Sequence, residues 1–151
     1  MPRSVLAAVL IALALPGLAL AATAKGTPGD DTLTGTPGAD RIFGKAGNDK
    51  LDGLAGNDRL HGGRGKDMLA GGDGNDRIRG GHGADKVDAG AGDDKVNVRD
   101  HAADTVDCGA GTDRVIADKA DTLTGCEDQK VRRGGHGKPP KKDKGKGRKR
   151  S

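Results

Sequence analysis

Asp31, Asp40, Asp49, Asp58, Asp67, Asp76, Asp85 and Asp94 recur at a strict nine-residue interval. Carboxylates in such a series can move protons, pair with cationic side chains or hold metal cations, and their companions decide which. A glycine stands two residues before each one. An aliphatic stands two residues after: Leu33, Ile42, Leu51, Leu60, Leu69, Ile78, Val87 and Val96. The unit G-x-x-G-x-D-x-(aliphatic)-x therefore runs from Gly26 to Asn97 without insertion or deletion. Acid–base catalysis fits poorly, because no nucleophile, base and orienting group can be drawn together from this chain. Gly65-Lys66 is followed by Asp67 and lacks the upstream glycine of a phosphate loop. Asp73-Gly74-Asn75-Asp76 opens like an EF-hand loop but has Ile78 where the turn glycine belongs.

The elements that must position these acids follow from the period. Nine residues are too few for a helical repeat, whereas a glycine turn followed by a polar-aliphatic-polar triplet suits a tight turn and a short strand with one side chain inward and two outward. Two units then make one coil of a flattened solenoid, and residues 18 apart stack at about 4.8 Å. Asp31, Asp49, Asp67 and Asp85 form one column, and Asp40, Asp58, Asp76 and Asp94 the other. Bare carboxylates that close repel by about 3 kcal/mol per neighbour at an effective dielectric of 20, so a counter-ion is required. Carboxylate and turn-carbonyl oxygens form a hard donor set with flexible geometry, which suits Ca²⁺ better than Mg²⁺ or a transition metal. The competing scheme pairs the acids with Arg41, Lys50, Arg59, Arg77, Lys86 and Lys95. Exposed pairs are worth only about 0 to 1 kcal/mol, and that scheme would tolerate glutamate where only aspartate occurs.

These residues resemble the repeats-in-toxin (RTX), or haemolysin-type, calcium-binding repeat, G-G-x-G-x-D-x-(aliphatic)-x, and GGDGNDRIR at 71–79 matches it at every fixed position. The resemblance is strong over 26–97 and weak over 98–125. It implies an all-β fold, a parallel β-roll, with calcium held between stacked turns. By position it makes Asp31, Asp40, Asp49, Asp58, Asp67, Asp76, Asp85 and Asp94 side-chain ligands, together with Asp113 in CGAGTDRVI, and turn carbonyls complete each shell. Acidic or amide fifth positions (Asp30, Asn48, Asn57, Asn75 and Asp93) add further oxygens. The pattern is broken at position 2 by Thr27, Thr36, Lys45 and Leu54, and at position 1 by Ala89, which places the best sites near 62–88. Two columns of four loops hold about six interior ions. One aliphatic per nine residues is a thin core, so folding is expected to depend cooperatively on calcium.

The 151 residues divide into four stretches. Residues 1–24 read as a signal peptide, with an apolar run after Arg3 and small-residue cleavage sites after Ala21 or Ala24. Residues 25–97 are the regular roll. Residues 98–128 are a degenerate closing cap, and residues 129–151 a basic, disordered tail. The formal net charge of +4 conceals this segregation, for acids exceed bases up to residue 129 and bases dominate beyond it. Cys108 and Cys126 are the only cysteines. Export, and an 18-residue spacing that places them on adjacent coils, predict a disulfide. His61, His82, His101 and His136 show no metal spacing and are read as solvated loop residues.

The expected protein is thus a secreted, non-enzymatic, calcium-binding module at the cell surface or in the extracellular matrix. Its tail would contact anionic cell-wall polymers or polysaccharides, with unspecific nucleic-acid binding as the other polyanion option. The alternative is a secreted hydrolase or toxin fragment of the same superfamily.

Overall fold

The computed structural model describes residues 9–10 and 21–132. Most of the expected leader and of the basic tail, with His136, lies outside them. Fourteen strands form two parallel sheets of seven, and no helix occurs among the described residues. One sheet contains the odd strands β1 (Val9–Leu10), β3 (Thr32–Thr34), β5 (Lys50–Asp52), β7 (Met68–Asp73), β9 (Lys86–Ala91), β11 (Thr105–Asp107) and β13 (Thr122–Thr124). The other contains the even strands β2 (Thr23–Lys25), β4 (Arg41–Ala46), β6 (Arg59–Arg64), β8 (Arg77–His82), β10 (Lys95–Asn97), β12 (Arg114–Asp118) and β14 (Asp128–Arg132). Each nine-residue unit supplies one strand and one turn, so the chain alternates between sheets and winds a β-solenoid of about six turns.

The register is the one that an 18-residue coil demands: Leu33 pairs with Leu51, Leu51 with Leu69, Ile42 with Leu60, and Leu60 with Ile78. Alternation along each strand sends the position-8 aliphatic inward, where Leu33 through Val115 are buried in a single core. From Ala89 onward position 1 also carries a side chain, and Ala89, Val98, Cys108 and Ala117 are all fully enclosed. The C-terminal coils thus have two apolar rows where the N-terminal coils have one.

Several strands are longer than the expected triplet, because β4, β6, β7, β8 and β9 continue into the glycine-rich start of the following unit. Residues 98–128 carry on the same sheets. The ten-residue unit moves the pairing interval to 19, as in Lys95 with Arg114, and the shortened unit that begins at Ala117 reduces it to 17, as in Thr105 with Thr122. The expected start of the tail needs correction. Residues 129–132 belong to β14, where Gln129 pairs with Val115 and Val131 with Ala117, because the open edge of β12 offers a backbone template that needs no aliphatic in its partner. Cys108 and Cys126 are joined, with Cα atoms 5.2 Å apart, and close the last coils as their spacing predicts. Two of the histidines are not loop residues. His61 lies half-buried in β6, edge-on to Phe43 at 6.3 Å, and His82 ends β8.

Candidate metal centre

The turn between strands begins with glycines that no other residue can replace without strain. Gly65 has φ of 130°, and a Cβ there would lie 1.9 Å from the carbonyl oxygen of Gly47 on the coil below. This close approach brings the sixth-position aspartates of successive coils into contact through the backbone. The Asp49 Oδ1 accepts the N–H of Asp31 at 2.8 Å, the Asp67 Oδ1 that of Asp49 at 2.9 Å, and the Asp85 Oδ1 that of Asp67 at 2.9 Å. In the second column the Oδ1 atoms of Asp58, Asp76 and Asp94 accept from Asp40, Asp58 and Asp76 at 2.7 to 2.8 Å. Every one of these aspartates is buried.

One oxygen of each carboxylate is thereby used, and the other is left over. The Oδ2 atoms of Asp49, Asp58, Asp67, Asp76, Asp85, Asp94, Asp104 and Asp113 are enclosed and have no hydrogen-bond partner among the described residues. Leaving a buried charged oxygen unpaired is costly, and here it occurs eight times in two regular rows. A Cβ on Gly53 would stand 2.4 Å from both the Asp58 Oδ2 and the Gly71 carbonyl oxygen, so free carboxylate and backbone oxygens crowd the same space. Burial pushes Asp49, Asp58 and Asp104 up to about 6, and Asp85 and Asp94 up to about 7, against the lowering effect of the backbone N–H each accepts. Asp67, Asp76 and Asp113 are raised for the same leading reason. Neighbouring carboxylates add repulsion, as Asp67 does to Asp49.

The cations that might have neutralised these acids do not reach them. Among the described residues, the ion pair formed by an arginine or lysine is Arg114 with Asp128 at 3.5 Å; Arg41, Lys50, Arg59, Arg77, Lys86 and Lys95 point to solvent. No group of three acid, histidine or cysteine side chains converges among the described residues, so an ion shell here draws on backbone carbonyls as well as carboxylates. A hard, oxygen-only donor set with orphaned anionic oxygens fits calcium.

The remaining expected site residues divide by environment. Asp31 and Asp40 have both oxygens engaged. Thr27 donates its N–H to the Asp31 Oδ2 at 2.5 Å and its hydroxyl to the same oxygen at 3.1 Å; Thr36 does the same for Asp40, its hydroxyl at 3.0 Å. The fifth-position residues are exposed, and their Oδ1 atoms serve a second ladder of opposite sense. Asp30 accepts from Asn48, Asn48 from Lys66, Asn57 from Asn75, Asn75 from Asp93, and Asp93 from Thr112. Each turn is therefore stitched to both of its neighbours.

Three members of the columns were not expected as site residues. Asp104 accepts from Asp85, Asp121 from Asp104, and Glu127 from Asp113, at intervals of 19, 17 and 14 residues. The fixed period hides them. For Asp104 the signal was the Asp-x-aliphatic triplet Asp104-Thr105-Val106, which survives the one-residue insertion.

A family model described as the RTX calcium-binding nonapeptide repeat (4 copies) matches residues 25–60, 34–69 and 61–96. No curated protein matches the chain. The matched residues contain the eight regularly spaced aspartates of the two columns, Asp31 through Asp94, and residues 25–96 of this parallel β-roll belong to the RTX calcium-binding repeat family.

Proposed function

We propose that the chain is an exported, non-catalytic calcium-binding β-roll that serves as a binding or structural module at the cell surface or in the extracellular matrix. The observation that carries this reading is the double row of buried, partnerless Oδ2 atoms, which only a cation or a proton can compensate. Asp49, Asp67, Asp85 and Asp104 would hold ions in one column, and Asp58, Asp76, Asp94 and Asp113 in the other, each ion lying between neighbouring coils and drawing on turn carbonyls. That gives about six ions. Asp31 and Asp40, served by Thr27 and Thr36, contribute least. The bound cation supplies neutralising charge; the chain's own part is to hold the carboxylates in register and exclude water from them. The basic tail beyond residue 132 acts as an anchor for an anionic cell-wall polymer.

A calcium titration followed by circular dichroism tests the reading. Asp58→Ala and Asp67→Ala each remove an oxygen shared by two sites and are expected to raise the calcium midpoint severalfold. Asp52→Ala alters an outward position of β5 and is expected to leave it unchanged. Full strand signal in excess chelator at pH 8, or equal midpoints for all three variants, would sink the proposal.

A further inference from the structure

The parallel register that aligns the buried acids also aligns the exposed cations, and it does so unequally on the two sheets. On the even sheet Arg41 pairs with Arg59, Arg59 with Arg77, Arg77 with Lys95, and Lys95 with Arg114. Five cations thus stand one above another at the strand interval of about 4.8 Å. The equivalent row of the odd sheet reads Thr32, Lys50, Met68, Lys86, Thr105 and Thr122, and the row beside it contains Asp52, Asp88 and Asp107. Beside the even cation row lies a groove of ≈ 610 Å³, lined by Lys45, His61, Arg64, Arg79, His82 and Arg99 among others. Among the described residues its Lys45, Arg64, Arg79 and Arg99 form no ion pair, while His82 lies 3.9 Å from Asp100.

Like charges directly opposite one another on neighbouring strands destabilise a sheet. Among the described residues, Arg41, Arg59, Arg77 and Lys95 form no ion pair that would relieve this. Threonine or methionine fills four of the six equivalent places on the odd sheet, so the fold does not demand a cation there. We propose that the even face is a docking surface for an extended acidic polysaccharide, which lies along the solenoid axis and meets successive cations with its carboxylates. Arginine is suited to this, because its planar fork binds a carboxylate through two parallel hydrogen bonds. Nucleic acid fits less well. Stacking of unpaired bases needs aromatic side chains, and Phe43, the only aromatic residue of the chain apart from histidine, is set edge-on to His61 at 72°. A flat strand face also presents no element that enters a duplex groove. The residues of this surface are not those of the calcium columns.

The test uses the full chain loaded with calcium and a fluorescent hyaluronate fragment as the probe. Arg59→Thr, Arg77→Thr and Lys95→Thr are combined in one variant, and a second carries Lys141→Gln, Lys142→Gln and Lys144→Gln, removing the same charge from the tail. The face variant is expected to bind about tenfold more weakly and with a shallower salt dependence, while the tail variant loses less than about threefold. A single Arg77→Glu should reproduce most of the loss if the triple variant folds poorly, and the calcium midpoint by circular dichroism should stay at that of the parent in all of them. Hyaluronate affinity unchanged in the face variants would overturn the proposal. So would duplex DNA that binds as tightly as hyaluronate and with the same dependence on the face, since the surface would then be an unselective polycation.

Discussion

Leu54 and Lys45 occupy the second position of their units with φ of 75° and 85°, where five later units place glycine. A left-handed backbone costs an ordinary L-residue about 1 to 2 kcal/mol, part of which glycine returns through its freer unfolded chain. Leu54→Gly is therefore expected to stabilise the calcium-loaded roll by about 0.5 to 1 kcal/mol, raising its melting temperature. Gly63→Ala runs the other way. Its φ is 123° and its new Cβ would lie 2.1 Å from the Lys45 carbonyl oxygen, so a loss of about 1 to 3 kcal/mol is expected. A melting temperature that moves in the opposite sense for either variant would remove this account of position 2. The same position shows how far single residues could be read in advance. The sequence groups Thr27, Thr36, Lys45 and Leu54 as one kind of departure from glycine. In the structure the threonines are hydrogen-bond donors that satisfy Asp31 and Asp40, and Lys45 and Leu54 are strained substitutes. The difference lies in backbone angle and donor geometry, which a residue pattern does not carry.

Among the strands, β2 gives the two expected cleavage sites different structural consequences. The carbonyl of Ala22 accepts the N–H of Arg41 at 2.9 Å, and Ala24 is buried in line with Ile42. Processing after Ala21 keeps these contacts and processing after Ala24 discards them. A chain that begins at Ala22 is expected to melt at a higher temperature in calcium than one that begins at Lys25. Equal melting would show that β2 adds nothing to the roll. The regular strands were legible because the aliphatic at position 8 and the glycine at position 4 fix period and phase together, and the 18-residue register of β3 through β10 follows from that phase. The ends were not. β2 sits where an apolar leader and a small-residue cleavage pattern dominate the reading and offers only the small Ala24 inward, and β14 carries Gln129 in the inward phase, so both strands depend on the backbone edges of β4 and β12 more than on their own side chains. Glu127, 14 residues from Asp113, takes the place of an aspartate in the ladder and accepts the Asp113 N–H at 3.0 Å, an interval that the nine-residue period does not point to.

Across the molecule, charge is sorted by depth. Acids fill the interior of the turns, cations cover the even face, and the disulfide closes the C-terminal coils. With a single aliphatic row in its N-terminal half, the roll has little apolar burial to offset enclosed carboxylates, so its stability is set by what neutralises them. A proton can do this as well as a calcium ion. Asp85 and Asp94 are pushed up to about 7, and Asp49, Asp58 and Asp104 to about 6, from an ordinary value of 3.8. Between about pH 4 and pH 7 the metal-free fold therefore binds more protons than the unfolded chain does. A fold that binds the extra protons loses stability as pH rises, so this contribution is complete below the unfolded value and gone above the folded one. Calcium needs the deprotonated form, and its apparent affinity should strengthen over the same window as each ion displaces protons. In excess chelator, the strand signal in circular dichroism is expected to be strongest near pH 5 and to fall steeply by pH 8, where added calcium restores it. A metal-free signal that instead grows from pH 5 to pH 8 would mean that the buried carboxylates are neutralised by something other than a proton or a cation in the turns.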